Sequence, residues 1–238
     1  MVTDYKNQIK IFYDGTNIDL YGTNDFVKGF TTNPTLLNNG NIDNKNYKDF
    51  AINMLKKTNN LPVSFEVFAD DIENMIIQAR EIYSWNENIY VKIPIINTKG
   101  ESMASVIETL NSENIKLNIT AVFTEEQINT AFDSIKNKNI HTIISVFSGR
   151  IADAGFDAKK IVKYATEVVK DCPNIEILWA SVREVYNIFD AIDVNCHIVT
   201  VPDSIFKKLD NIGKDLTEFS KETVNMFYND GLKSGIIL

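Results

Sequence analysis

A single lysine interrupts a run of mostly apolar residues at positions 88–95, which reads Asn-Ile-Tyr-Val-Lys-Ile-Pro-Ile. In a strand, the alternation of side chains places Lys92 on the face opposite Val91 and Ile93. Burying a lysine is costly unless its charge is paired or its amine is used in chemistry. Shielding from water lowers the pKa of a lysine, and the neutral amine can attack a carbonyl carbon. The resulting Schiff base is an electron sink for cleaving or forming a neighbouring C–C bond, which makes Lys92 a candidate nucleophile.

Two carboxylates are candidates for the proton transfers that this chemistry requires. One must move the proton of a substrate hydroxyl, and another must assist the loss of water from the carbinolamine. Asp14 and Glu66 stand near the ends of two other predicted strands and could fill these roles without a metal. Each also has a structural explanation, because Glu66 could pair with Lys92 and Asp14 could be a turn residue.

Further polar residues recur towards the ends of the predicted strands. They are amides, hydroxyls and one arginine: Asn33, Ser64, Asn118, Thr120, Ser145, Ser181 and Arg183. Taken alone, Asn33 is explained as a cap and Arg183 as a solvated residue at a helix start. Packing does not explain why so many polar residues converge on one end of a sheet, so the pattern predicts a polar site there.

Eight short apolar runs, rich in β-branched residues, predict the strands that position these side chains. They cover residues 9–14, 29–33, 62–68, 89–95, 116–123, 141–148, 176–183 and 197–202. Helical stretches separate them, which predicts a parallel sheet, and eight such units favour one (β/α)₈ barrel domain over residues 1–238. An open doubly wound sheet is the alternative, although no GxGxxG motif follows the first strand.

Helix signals fall between the predicted strands. Apolar residues at helical spacing predict a helix within 157–171, and Thr124-Glu-Glu-Gln127 reads as a capping box. Asp70-Asp-Ile-Glu73 resembles a second capping box. We also expect helices at 101–112 and 183–193 and a long C-terminal helix at 214–230.

Side-chain alternation also predicts which residues face the interior of the barrel. The interior set comprises Phe12, Asp14, Ser64, Glu66, Tyr90, Lys92, Asn118, Thr120, Ile143, Ser145, Phe147, Trp179, Ser181 and Arg183. The intervening residues are expected to face the helices; they include Val63, Phe65, Val91, Ile119, Leu178 and Ala180.

Composition excludes several classes of protein. A formal net charge of −8 disfavours nucleic-acid binding, and no apolar run is long enough to span a membrane. The two histidines, His141 and His197, have no metal-ligand spacing, so we expect neither a metal nor a cofactor. Cys172 and Cys196 lack CxxC spacing, and no signal-peptide pattern precedes them, which favours a reducing cytoplasm.

Asp14 and six motifs that follow it in order, to about residue 202, resemble those of the transaldolase family, including its fructose-6-phosphate aldolase relatives. They are Gly29-Phe-Thr-Thr-Asn-Pro-Thr-Leu-Leu37, Val91-Lys-Ile-Pro94, Asn118-Ile-Thr120, Ser145-Val-Phe-Ser-Gly-Arg-Ile151, Ala180-Ser-Val-Arg183 and Thr200-Val-Pro202. The resemblance implies a class I aldolase-type barrel that moves a dihydroxyacetone unit between sugar phosphates, as in the pentose phosphate pathway. The donor would be sedoheptulose 7-phosphate or fructose 6-phosphate.

The resemblance also implies roles for individual residues. Lys92 would form the imine with the donor ketose, and Asp14 would take the proton of the C4 hydroxyl. Glu66 and Thr120 would hold the water of imine formation and hydrolysis. The remaining residues would bind substrate: Asn33, Asn118, Ser181 and Ser145 on the dihydroxyacetone side, and Arg150 and Arg183 on the phosphate.

The family has two branches, and the residues favour the transferase over the free aldolase. Glu66, Asn118, Phe147 and Arg183 follow the transaldolase pattern, whereas the short chain is closer to the aldolase-like subgroup. Val146 and Val182 depart from the family motifs, which leaves open a specialised donor or acceptor sugar. A catalytically silent sugar-phosphate binding protein is a third possibility, and assembly into a homo-oligomer through residues 214–238 is a further expectation.

Overall fold

The eight predicted strands form a closed barrel in a computed structural model that describes residues 2–22, 24–43, 45–136 and 139–235. Their bounds are β1 Lys10–Asp14, β2 Val27–Thr31, β3 Val63–Glu66, β4 Ile89–Pro94, β5 Leu117–Val122, β6 Thr142–Val146, β7 Ile175–Trp179 and β8 Ile198–Pro202. Each strand pairs in parallel with the next in chain order, and β8 pairs with β1. The predicted (β/α)₈ barrel is therefore confirmed, and the open-sheet alternative is wrong.

Helices connect the strands on the outside of the barrel. Those described are α1 Ile18–Tyr21, α2 Pro34–Asn39, α3 Tyr47–Lys57, α4 Ile72–Ser84, α5 Ala104–Ser112, α6 Glu125–Ile135, α7 Ser148–Asp153, α8 Ala158–Val169, α9 Asn187–Asp193, α10 Asp203–Phe206 and α11 Leu216–Ser234. The helices expected within 157–171 and near 101–112, 183–193 and 214–230 correspond to α8, α5, α9 and α11.

One of the two predicted capping boxes forms. Thr124 accepts a hydrogen bond from the backbone N–H of Gln127, whose side chain in turn accepts from the Thr124 backbone N–H. The prediction at 70–73 is wrong, because α4 is capped by Asp71, which accepts from the Asn74 backbone N–H at 3.0 Å. Asp70 instead accepts hydrogen bonds from the backbone N–H and the hydroxyl of Thr98, in the loop after β4.

Two apolar layers stabilise the barrel. The larger lies between the strands and the helices and includes Val63, Phe65, Val91 and Ile119, as predicted. The smaller fills the barrel interior and consists of six buried side chains: Phe12, Tyr90, Ile143, Leu178, Ala180 and Ile198. Gly29 belongs to this packing, because a Cβ there would lie 2.5 Å from the Phe12 ring.

The predicted orientation of β7 is wrong. Leu178 and Ala180 point into the barrel, and Trp179 packs in the outer layer against the helices. The strand ends at Trp179, four residues before the predicted end, and Ser181 adopts a left-handed backbone with φ of +64°. This turn, rather than strand alternation, carries Ser181 and Arg183 to the carboxyl end of the barrel.

The C-terminal helix α11 has no buried residue. It carries exposed apolar side chains that include Leu216, Phe227, Tyr228 and Leu232. Docking of residues 214–238 on a second copy stays a prediction, and residues 236–238 lie outside the described ranges. None of the helices in those ranges combines the length and the apolar character needed to cross a membrane.

Candidate active site

A cavity of about 430 Å³ opens at the carboxyl ends of the strands. All ten residues predicted for the site line it: Asp14, Asn33, Glu66, Lys92, Asn118, Thr120, Ser145, Arg150, Ser181 and Arg183. The carboxyl ends of parallel strands meet at one face of a (β/α)₈ barrel, which is why residues so distant in sequence converge. The structure brings the predicted residues together, and their individual roles stay predictions.

Lys92 lies in the wall of this cavity with a side chain that is only 7% exposed. Its Nζ is 3.1 Å from Glu66 Oε2 and donates a hydrogen bond of 2.8 Å to the carbonyl oxygen of Thr32. Glu66 and Lys92 are direct neighbours across β3 and β4, so strand register sets this contact. The ion pair considered from sequence is present, and it lies within the polar cavity rather than in the apolar core.

Asp14 stands at the end of β1 and is held from the neighbouring strand. Thr31 Oγ1 on β2 donates to Asp14 Oδ1 at 2.7 Å and lies 2.5 Å from Thr200 Oγ1 on β8. Burial raises the pKa of the Asp14 carboxyl and outweighs the Thr31 hydrogen bond and the Lys92 charge, which lower it. A carboxyl with a raised pKa is suited to exchanging a proton with substrate.

Three threonines without a role predicted from the sequence contact residues of the site: Thr31, Thr32 and Thr200. Each supports a predicted residue: Thr31 and Thr200 form the hydrogen-bond chain behind Asp14, and the Thr32 carbonyl binds Lys92. Their signal was available, because all three fall inside the motifs quoted above. The motifs do not show that β8, β1 and β2 lie side by side, because this arrangement arises only when the barrel closes.

A buried hydrogen-bond chain fixes the amide of Asn118. Its Nδ2 donates to Ser64 Oγ at 2.9 Å, and its Oδ1 accepts from Ser145 Oγ at 2.7 Å. The three side chains come from β3, β5 and β6 and are almost completely buried. Because the amide has two N–H groups, one remains able to donate to a ligand.

Thr120 has a buried hydroxyl that makes no hydrogen bond with any described residue. A buried hydroxyl without a protein partner ordinarily binds water or ligand. The next residue, Ala121, has a positive φ of +56°, and the pairing of β5 with β6 shifts register at this point. Bulges and left-handed non-glycine residues concentrate next to functional sites, which agrees with the position of Thr120 in the cavity wall.

Asn33 serves as the N-cap of α2, the structural role considered from sequence. Its Oδ1 accepts from the Leu36 backbone N–H at 3.0 Å, and Pro34 occupies the first position of the helix. The cap uses the amide oxygen only. The amide nitrogen of this cavity-lining residue is therefore still able to donate to a ligand.

Two arginines mark the rim of the cavity. Arg150 lies in α7 and Arg183 in the turn after β7, and close packing brings the two segments together. A Cβ on Gly149 would lie 1.6 Å from the Ser181 carbonyl oxygen, so only glycine permits this approach. Two guanidinium groups at one rim favour binding of an anion.

The two histidines lie at the opposite end of the barrel. His141 and His197 precede β6 and β8 and line a separate depression at the amino ends of the strands. His197 Nδ1 accepts from the Ile177 backbone N–H at 3.0 Å, and burial lowers the pKa of its imidazole. Across the described ranges, no three His, Cys, Asp or Glu side chains form a group that could hold a metal ion.

Comparisons with known proteins agree with this geometry. The family model described as "Transaldolase/Fructose-6-phosphate aldolase" matches residues 11–234. A "Probable transaldolase" of Thermoplasma acidophilum is 34% identical over 205 residues, covering 84% of this chain and 87% of the relative. A "Probable transaldolase" of Thermoanaerobacter sp. is 31% identical over 235 residues, covering 96% of this chain and 99% of the relative.

A solved structure shares the fold alone. It is a monomeric dihydrodipicolinate synthase variant, superimposed with a TM-score of 0.60 at 10% sequence identity. The match covers 92% of this chain and 77% of that chain.

Proposed function

Because the chain belongs to the transaldolase/fructose-6-phosphate aldolase family, we propose that it transfers a dihydroxyacetone unit from a ketose phosphate to an aldose phosphate. The observation that carries the proposal is the buried Lys92 amine, 3.1 Å from the Glu66 carboxylate in a cavity that Asp14 also lines. A primary amine, two carboxylates and two rim arginines are the groups that Schiff-base chemistry on a sugar phosphate needs.

Imine formation comes first. Glu66 accepts a proton from the Lys92 ammonium, and the amine attacks the C2 carbonyl carbon of the donor ketose. The carbinolamine then loses its hydroxyl as water when Glu66 returns a proton to the leaving oxygen. Thr120 is well placed to hold this water, because its buried hydroxyl has no hydrogen-bond partner among the described residues.

Cleavage of the C3–C4 bond follows. Asp14 removes the proton of the C4 hydroxyl, the C4 oxygen becomes a carbonyl, and the electron pair of the C3–C4 bond moves into the imine. The enamine on Lys92 retains the three carbons of dihydroxyacetone while the aldose leaves. Addition to an acceptor aldehyde reverses these steps, with Asp14 giving its proton to the new hydroxyl, and hydrolysis frees the product ketose. The raised pKa of Asp14 supports this exchange in both directions.

The remaining cavity residues bind the two ends of the donor. Asn118, Asn33, Ser145 and Ser181 provide hydrogen bonds for the hydroxyls of the dihydroxyacetone part. The donor phosphate lies at the rim, where Arg150 and Arg183 offer charge-assisted bonds to its oxygens.

The description of the family includes a free aldolase, which defines the second candidate. The two activities differ in whether the three-carbon enamine waits for an acceptor or is released as dihydroxyacetone. Incubation with fructose 6-phosphate, with and without erythrose 4-phosphate, separates them. Turnover that requires erythrose 4-phosphate supports the transferase, whereas glyceraldehyde 3-phosphate released without an acceptor supports the aldolase. A panel of other acceptor aldoses tests the specialised sugar suggested by Val146 and Val182.

We extend the proposal to assembly and location. The exposed apolar side chains of α11 support a homo-oligomer, which sedimentation of the purified protein tests. Both cysteines, Cys172 and Cys196, are free thiols, which supports a reducing cytoplasm.

A further inference from the structure

Asp153 pairs with Arg183 at the rim of the cavity. Its Oδ2 accepts from Arg183 Nη2 at 2.6 Å and from Nε at 2.9 Å. Asp153 is the last residue of α7 and stands outside the cavity lining, whereas Arg183 lines the cavity. The carboxylate that binds the guanidinium is therefore not itself part of the cavity lining.

The contact occupies one particular edge of the guanidinium. An arginine presents five N–H groups in a planar fork, and Asp153 uses the edge formed by Nε and Nη2. The other edge, formed by Nη1 and the second N–H of Nη2, remains available. This end-on edge suits two parallel hydrogen bonds to phosphate oxygens.

This ion pair contributes little to the stability of the fold. The two side chains are 48% and 52% exposed, and ion pairs in such surroundings add little to folding. An arginine at a cavity rim otherwise samples many rotamers, and fixing it in one of them on binding costs conformational entropy. The backbone of Arg183 is already held by a 3.0 Å hydrogen bond from its N–H to Asn187 Oδ1, so the side chain is the part left to orient.

Resting on the proposed function, we propose that Asp153 is a positioning residue that aims the Nη1–Nη2 edge of Arg183 at the phosphate of the sugar substrate. The alternative is that Asp153 weakens phosphate binding rather than strengthening it. A carboxylate beside a phosphate site could instead compete with the phosphate for the guanidinium, in which case its removal would tighten binding.

Binding of inorganic phosphate separates these effects without turnover. We expect Asp153→Ala to raise the dissociation constant for phosphate about fivefold, measured by calorimetry or by phosphorus NMR. The dissociation constant of Asp153→Asn for phosphate should lie between those of wild type and Asp153→Ala, because the asparagine amide oxygen still accepts from Arg183. Glu184→Gln is the matched control, since it removes one negative charge next to Arg183 in sequence. Tighter phosphate binding in Asp153→Ala, or equal weakening in Glu184→Gln, would overturn the proposal.

Kinetics then distinguish positioning from a general structural defect. With fructose 6-phosphate as donor, the loss in Asp153→Ala should fall mainly on KM, and unphosphorylated fructose should show a much smaller change. Equal losses with both donors would contradict a role in phosphate orientation. Failure of the wild-type protein to transfer dihydroxyacetone would overturn the proposed function, whereas the phosphate-binding series tests Asp153 independently.

Discussion

Glu66 and Lys92 face each other across β3 and β4, with 3.1 Å between Oε2 and Nζ. Both side chains are largely buried, and both line the cavity at the carboxyl end of the barrel. In this pair, the Glu66 carboxylate balances the charge of the buried Lys92, whose amine is the candidate nucleophile. Its consequences can be tested separately for reaction and for stability.

Replacement of Lys92 tests the nucleophile. Borohydride reduction in the presence of fructose 6-phosphate should attach a sugar-derived mass to one peptide, the one that contains Lys92. Lys92→Ala should give no adduct, because no amine remains to form the imine. Lys99→Ala, which removes an exposed lysine from the loop after β4, is the control and should label normally. An adduct on another lysine in the wild-type protein would contradict the mechanism.

Asp14→Asn tests the C–C step apart from imine formation. We expect kcat to fall by about 10²–10⁴, the usual contribution of a general acid–base group. Borohydride should still trap an adduct on Lys92, because the proposed mechanism assigns the proton transfers of imine formation to Glu66 rather than Asp14. Loss of trapping in parallel with kcat would show that Asp14 acts earlier than proposed.

The pH dependence of stability tests the environment of Asp14. Its pKa is raised in the folded protein, so the folded state binds this proton more tightly than the unfolded state does. The contribution of Asp14 to stability is therefore present below its unfolded pKa of about 4 and is lost as pH rises through the folded pKa. Asp14→Asn should raise the melting temperature at pH 8, and this advantage should disappear below about pH 4. A variant less stable than wild type at pH 8 would contradict a raised pKa.

Gly149→Ala tests the close approach that brings the two arginines together. The added Cβ would lie 1.6 Å from the Ser181 carbonyl oxygen, so the segment after β7 must move. We expect a loss of about 1–3 kcal/mol in unfolding free energy and a raised KM for phosphorylated donors. Gly231→Ala in α11 is the control, because its Cβ meets no atom within 4 Å and alanine favours a helix. Equal stability of the two variants would contradict close packing of Gly149 against Ser181.

Eight apolar runs separated by helical stretches were sufficient to predict the barrel, and period-two alternation predicted most of its interior. The alternation placed Glu66, Lys92, Asn118 and Thr120 on inward-facing positions because β3, β4 and β5 pair in unbroken register up to these residues. It failed on β7, where the left-handed turn at Ser181 ends the alternation after Ala180. A rule based on strand period contains no information about such a turn.

The hydrogen bonds that support the site residues could not be predicted from the sequence, for a different reason. Thr200 reaches Thr31 because β8 closes on β1, and Asp153 reaches Arg183 because Gly149 lets α7 approach the turn after β7. Both contacts join segments that are far apart or belong to different elements, and their geometry depends on closure and close packing rather than on local pattern.

The six side chains of the inner apolar layer give the barrel a closed floor beneath the cavity. Water and protons that reach Lys92 from bulk solvent therefore travel through the rim that also admits the sugar. Under the proposed function, a donor whose phosphate binds Arg150 and Arg183 would occupy that route. The bound substrate would then close the cavity to bulk water. The proton that Asp14 takes from the donor would be passed to the acceptor rather than exchanged with solvent.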